Sequence, residues 1–118
     1  MNLEGEHVLL RIHLSNFARW HLGPLYVALV TKARHEHLAG ATVLSGVYGY
    51  VEHGRILGEH PNALLVERPV ILEIVDEEQK LQRFLDTVAP MLAGQPVRVT
   101  LARAHVVQYR GGSQGVPS

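Results

Sequence analysis

The sequence predicts an α+β protein in which four strands and two helices follow one another in the order βαββαβ. Three observations lead to this fold class: an alternating apolar stretch near the N-terminus, two stretches with helical spacing of apolar residues, and β-forming runs after each helix. This order is that of the ferredoxin-like fold, which has a four-stranded antiparallel sheet. Right-handed crossovers then place both helices on one face of the sheet.

The first strand and the first helix are predicted from the spacing of their apolar residues. Residues 8–14 alternate in character, which indicates a half-buried strand. The first helix is predicted from Pro24 to about Leu38, and Pro24 suits its first turn because an N–H there has no helical partner. Gly40 is predicted to end the helix in the left-handed conformation. The apolar residues that recur about once per turn are Leu25, Leu29 and Ala33.

Three further strands are predicted from β-forming residues. The second strand is expected over residues 41–51, where β-branched and aromatic residues replace the helical period. The third, over residues 69–75, is short and almost continuously apolar, and the last covers residues 97–109. These strands complete the predicted sheet.

The second helix is predicted between the third and fourth strands. Asp76 is expected to be its N-cap, with Gln79 as the reciprocal partner of a capping box, and the helix is expected to end near Gly94. Leu29 of the first helix and Phe84 of the second are predicted to be buried between helices and sheet. Helical spacing in the second helix is carried by Leu81, Phe84, Leu85, Val88 and Leu92.

The face of the sheet that carries no helix is predicted to be apolar. Leu9 lies on this face. Alternate residues of the last strand point to opposite faces, so one of two sets of its apolar residues lies there as well. Because so much apolar surface is unfavourable in water, we expect a homo-oligomer that packs these faces together. His13 and His105, on neighbouring strands, are expected to approach each other on this face. The two alternatives on the last strand are Val97, Val99 and Leu101, or Ala102, Ala104 and Val106.

Composition restricts the class of protein. A chain of 118 residues with 47% hydrophobic residues fits one domain, expected over residues 1–110, followed by a disordered tail at 111–118. Eleven basic residues balance eleven acidic ones, so no nucleic-acid partner is predicted. Cysteine is absent, which excludes disulfides and thiolate chemistry. No apolar run is long enough to span a bilayer, and a cytoplasmic protein without membrane insertion is expected.

The chain resembles the bacterial PII-like proteins of domain-of-unknown-function family 190. The resemblance covers residues 8–109, and its specific feature is AGATVLSG followed later by PVILEIVDEE. The runs that carry it are PLYVALV, LAGATVLSGVYGY, GRIL and PVILEIVDEEQKL. It implies a ferredoxin-like protomer in a homotrimer whose sheets face the threefold axis.

The resemblance also implies a regulatory function. In PII relatives the loop between the second and third strands contacts target proteins, and it corresponds here to residues 51–68. Small effectors, commonly adenine nucleotides, bind in the cleft between subunits near the base of that loop. The implied ligand is therefore an adenine nucleotide or another small anionic effector, with no cofactor required. The implied partner is a protein, such as a membrane transporter or channel.

The sequence departs from the PII pattern at two turns. The Gly-Phe-Gly-like turn at the loop base reads Gly49-Tyr50-Val51, so the second glycine is absent. The connection before the last strand, residues 93–96, reads Ala-Gly-Gln-Pro and lacks the lysine of a PII phosphate loop. Pro96 also removes one N–H. The effector class therefore stays open.

The predicted ligand-binding residues lie at the loop and on the last strand. Glycines allow backbone to approach a ligand, although turns use glycine commonly. Arginine contacts anions through its forked guanidinium, although a loop arginine is as often a solvated charge. The resemblance places basic residues of the last strand against the nucleotide. The predicted set is Gly49, Tyr50, His53, Gly54, Arg55, Arg103 and Arg110.

Two other classes of function are kept as alternatives. The chain contains eight histidines, so a second interpretation is a CutA-like trimer that binds a divalent metal. His53 and His60 are its weak ligand candidates, although no metal-ligand spacing occurs. A small ferredoxin-fold enzyme is a third. We predict no enzymatic activity, because no nucleophile–base pair can be identified in the sequence.

Overall fold

A computed structural model describes residues 4–50, 56–58 and 67–110. Within them, the main sheet has four antiparallel strands in the order β4-β7-β1-β8, which confirms the ferredoxin-like prediction. In chain order the elements are β1 (Gly5–Ser15), β2 (Arg19–Trp20), β3 (Gly23–Pro24), α1 (Leu25–His35), β4 (Thr42–Ser45), β5 (Tyr48–Gly49), β6 (Leu57–Gly58), β7 (Pro69–Asp76), α2 (Glu78–Leu92) and β8 (Arg98–Val106).

The hydrophobic core lies between the two helices and one face of the sheet. Alternate residues of β1 and β7 point to this side, since side chains of a strand alternate between faces. Leu29 and Phe84 are fully buried, as the sequence predicts. The buried cluster consists of Leu10, Ile12, Leu14, Leu25, Leu29, Ala33, Val70, Leu72, Ile74, Leu81, Phe84, Val88 and Met91.

Helix α1 ends earlier than predicted, and Gly40 is not its stop. His37 adopts the left-handed conformation instead, with φ 61°. The N–H of His37 donates to the carbonyl of Arg34, and the N–H of Leu38 donates to the carbonyl of Ala33, each at 3.1 Å. These two bonds form a Schellman motif, which satisfies carbonyls of the last turn before the chain reaches Gly40.

The predicted capping box of α2 is wrong. Asp76 is the last residue of β7, and the N-cap is Glu77, which makes no side-chain capping bond. The fully buried carboxylate of Asp76 accepts the N–H of Glu77 at 2.7 Å and that of Ala39 at 2.8 Å. Asp76 therefore ties the connection between α1 and β4 to the start of α2.

Several strand bounds differ from the prediction. The second predicted strand is divided at Gly46, and the last strand ends at Val106, where its pairing with the first residue of β1 ends. A short hairpin, β2–β3, precedes α1 and was not predicted. Part of the predicted 51–68 loop forms β6, which pairs with β5.

Candidate functional site

The helix-free face of the main sheet carries apolar residues on both sides of one row of polar residues. Leu9 lies at its middle, paired with Val75 on one side and with Ala102 on the other. The register thus selects the second predicted set on β8. Leu44, on the edge strand, is 46% exposed. The apolar residues of this face are Leu9, Leu44, Ile71, Val75, Ala102, Ala104 and Val106.

Thr42, Glu73, Arg11 and Thr100 form the polar row of this face, and Arg98 lies opposite His13. The Nε of Arg11 donates to Glu73 at 2.7 Å. Burial, followed by the nearby charges of Arg98 and Arg11, lowers the pKa of His13, while Glu73 opposes the shift. A lowered pKa keeps this imidazole neutral near neutral pH, so it adds no charge to the face.

The expected approach of His13 to His105 does not occur. His13 pairs with Arg98, whereas His105 pairs with Glu6, on the opposite face of the sheet. Seven residues of β1 separate the two positions, a distance of about 23 Å. The Nδ1 of His105 instead lies 3.0 Å from a carboxylate oxygen of Glu6. Sequence spacing could not supply the register that decides this.

Two glycines shape the start of the loop between β4 and β7. The N–H of Gly46 donates to the carbonyl of Pro69 at 2.7 Å, and a Cβ at Gly46 would lie 2.9 Å from the Pro69 ring. A side chain at this position would therefore clash. Gly49 has φ 152°, a conformation that L residues rarely adopt. Glycine at both positions lets the chain pass close to the start of β7.

The end of the same loop is attached to the end of β1. The Ser15 hydroxyl donates to the Glu67 carboxylate and accepts the N–H of Phe17. Asn16 and Arg68 exchange two bonds: the Asn16 N–H donates to the Arg68 carbonyl at 3.0 Å, and the Arg68 N–H donates to the Asn16 side-chain oxygen at 2.8 Å. Reasoning from the sequence missed these residues because about fifty positions separate the partners.

The structure places the described site residues at two ends of the sheet. Gly49 and the 65% exposed Tyr50 lie beside the start of β7. Arg103 pairs with Val8 near the opposite end and lines a depression of about 340 Å³ with acidic neighbours. Arg110 is exposed, and its guanidinium lies beside the side-chain amide of Gln108. The remaining predicted residues, His53, Gly54, Arg55 and His60, lie outside the described residues.

The described ranges contain neither a cluster of metal ligands nor a helix suited to a membrane. No three His, Asp or Glu side chains among residues 4–50, 56–58 and 67–110 converge as metal ligands. Neither helix in this part of the chain is long and apolar enough to cross a bilayer.

Solved structures with a PII-like fold are similar to this chain. CPII from Thiomonas intermedia K12, a nitrogen regulatory PII-like protein bound to ADP, AMP and bicarbonate, aligns with a TM-score of 0.67 and 14% identity over 87% of this chain and 90% of its own. A putative PII-like signaling protein from Thermus thermophilus aligns with a TM-score of 0.63 and 18% identity over 87% of this chain and 91% of its own. At these identities the similarity establishes the fold.

Sequence comparison establishes the family. A UPF0166 protein from Aquifex aeolicus (strain VF5) is 36% identical over 80 residues, which cover 68% of this chain and 76% of the relative. The model of the family DUF190, described as "Uncharacterized ACR, COG1993", matches residues 7–106. This chain therefore belongs to the DUF190 family and has a PII-like, ferredoxin-like fold.

Proposed function

We propose that this protein is a homotrimeric PII-like regulator. It binds a small anionic effector in the cleft between subunits and engages a partner protein through residues 51–68. Membership of DUF190 and the PII-like fold support the regulatory class. In this proposal it catalyses no reaction and acts in the cytoplasm.

The observation that carries the proposal is the apolar helix-free face. Both helices pack on the other side. In the described part of a single chain Leu9 and Val75 are only partly buried, in a depression that Tyr109 also lines. A trimer that packs three such faces together would bury them, and burial of apolar area is the main driving force of association. The neutral His13 and the Arg11–Glu73 pair reduce the cost of removing this face from water.

The arrangement of the proposed binding residues also favours an intersubunit site. The start of the loop lies level with Leu14 of β1, because Ser45 pairs with Val70 and Val70 pairs with Leu14. Arg103 lies level with Val8, six residues or about 20 Å away. One chain cannot bring both groups to one small ligand, whereas two neighbouring chains could each contribute one of them.

The chemistry of these residues suits a small anion. Glycines at the loop base allow close backbone approach, and arginines supply planar donors for phosphate or carboxylate. CPII binds ADP, AMP and bicarbonate, which makes these three the first ligands to test. The proposed set is Gly49, Tyr50, His53, Gly54 and Arg55 from one chain, and Arg103 and Arg110 from its neighbour.

We expect an adenine nucleotide to stabilise the purified protein. A ligand that binds only the folded state adds about 2.7 kcal/mol at 100 times its Kd, which raises the melting temperature. ADP, AMP, bicarbonate and divalent metals would be compared by thermal shift and calorimetry. Arg103→Ala should abolish the nucleotide effect, while Arg83→Ala, on the exposed side of α2, should not.

Three outcomes would count against the effector site. If none of the anions binds, the sensing function is wrong. If Arg103→Ala binds nucleotide as well as the parent, the site lies elsewhere. If zinc or nickel alone stabilises the protein, the CutA-like metal-binding alternative becomes the better description.

Deleting residues 52–65 and closing the gap with a short turn is expected to remove partner binding but not folding. Among the described residues, the buried core has no member between Ala33 and Val70, so the deletion leaves this cluster intact. The hydrogen bonds of Ser15 and Asn16 to residues 67 and 68 would remain. Affinity capture of membrane transporters and channels would be compared between the parent and the shortened protein. Circular dichroism would check the fold of both proteins, and light scattering would check their assembly. Retention of every interaction by the shortened protein would contradict the regulatory role of the loop.

A further inference from the structure

A groove on the helical side of the molecule has no role in the function proposed above. It lies between α1 and α2, beside the β2–β3 hairpin, and has a volume of about 630 Å³. This is within the range of small-molecule sites in proteins. We call it the helix groove; it includes Trp20, Ala28, Lys32, His35, Pro90 and Met91.

The local sequence explains why the groove exists. Ala28 on α1 is small, so the two helices leave space above the partly buried Trp20. Met91, almost fully buried, supplies a second apolar wall. The Trp20 indole is also braced by the ring of His21, whose centroid lies 4.3 Å away at an interplanar angle of 64°. The result is an apolar bed with an aromatic surface.

The polar groups of the helix groove favour an anion. Lys32 and His35 line it, and no acidic side chain of the described residues does. In the described part of the chain, neither the Lys32 ammonium nor the His35 imidazole pairs with a carboxylate. Arg34 belongs to the same basic last turn of α1 but does not line the groove. The helix dipole explains why basic residues are favourable in that turn, Arg34 included. It does not explain why Lys32 and His35 also line the apolar groove.

Pro90 lines the same groove with an apolar ring and, having no N–H, offers no backbone donor there. The positive charge at the rim therefore comes from Lys32. A groove with an aromatic bed and a cationic rim fits a planar apolar body with one negative charge. We propose that the helix groove binds a small aromatic monocarboxylate, with its ring against Trp20 and its carboxylate at Lys32.

This site is independent of the proposed trimer. The helix groove is formed by the helices, and the face proposed to associate lies on the other side of the sheet. Ligand binding in the groove therefore requires neither a second chain nor the loop 51–68. If no effector binds in the thermal-shift experiment, the proposal for the helix groove still stands. If the helix groove binds nothing, the proposed effector site between subunits is unaffected.

Titration with phenylacetate and its neutral analogue phenylacetamide tests the proposal. The chain contains one tryptophan, so the indole N–H of Trp20 gives a single resonance that reports on the groove. We expect phenylacetate to shift this resonance in a saturable manner. The amide should bind at least about tenfold more weakly, because a bond to a charged group contributes more than a neutral one.

Matched variants complete the test. Lys32→Met keeps the apolar stem and should weaken phenylacetate binding about tenfold or more, whereas Arg34→Met should leave it unchanged. Ala28→Leu should block the groove, with thermal unfolding as the check that the variant folds. Equal binding of acid and amide, an unaltered Kd in Lys32→Met, or no saturable shift with phenylacetate would each overturn the proposal.

Discussion

Leu9→Asp is expected to convert the proposed trimer into folded monomers. Leu9 lies at the middle of the helix-free face, between Val75 and Ala102. In a single chain Leu9 is only partly buried and lines an open depression, so the new carboxylate can reach water and the fold should persist. In the trimer it would be buried without a partner, at a cost of several kcal/mol per chain. Light scattering at micromolar concentration measures the mass, and circular dichroism verifies the fold.

Leu22→Asp is the matched control for this experiment. Leu22 lies in the turn of the β2–β3 hairpin and is 95% exposed, so the same substitution should leave the assembly unchanged. A trimeric Leu9→Asp would mean that another surface holds the chains together. If the parent protein is a monomer, the proposed trimer is wrong, and so is the proposed effector site between subunits.

Phe84→Ala is expected to lower the free energy of unfolding by about 3–5 kcal/mol. Phe84 is fully buried on α2 and belongs to the cluster that joins both helices to β1 and β7. Truncation removes most of its buried area and leaves a cavity that the surrounding strands cannot close. Urea unfolding at one fixed protein concentration is the appropriate measurement, because dissociation of an oligomer makes stability depend on concentration.

The neighbouring position Gln82 provides the comparison. It lies on the exposed side of α2, and Gln82→Ala should change stability by less than about half a kcal/mol. If Phe84→Ala also lowers the free energy of unfolding by less than about half a kcal/mol, the inward face of α2 has been wrongly assigned. Leu29→Ala, on the inward face of α1, should behave like Phe84→Ala, within about 2–5 kcal/mol.

Local patterns in the sequence were sufficient for the element order and the core. The helical period of Leu25, Leu29 and Ala33 and the alternation along residues 8–14 depend only on neighbours in the chain. Burial of one stripe follows from such a pattern whatever the details of packing. The family resemblance added the PII-like fold, which the comparisons confirm.

Helix and strand ends were less predictable because competing local solutions have similar energies. Gly40 is the better left-handed residue, yet His37 takes that conformation because the bonds of the Schellman motif close there. Asp76 has the chemistry of an N-cap, yet β7 extends through it and its carboxylate is used by Ala39. The β2–β3 hairpin lacks the Asn-Gly or Asp-Gly turn that marks such structures in a sequence.

The sequence by itself determined the fold class, the inward faces of the helices and the chemical character of the loop. Only the tertiary structure decided the register, and with it that Ala102 rather than Leu101 lies on the helix-free face beside Leu9. Register also separated Gly49 from Arg103, kept His13 away from His105, and joined Ser15 to Glu67. The physical reason is that a shift of one residue between strands reverses every side chain, and such shifts are set by contacts between distant segments.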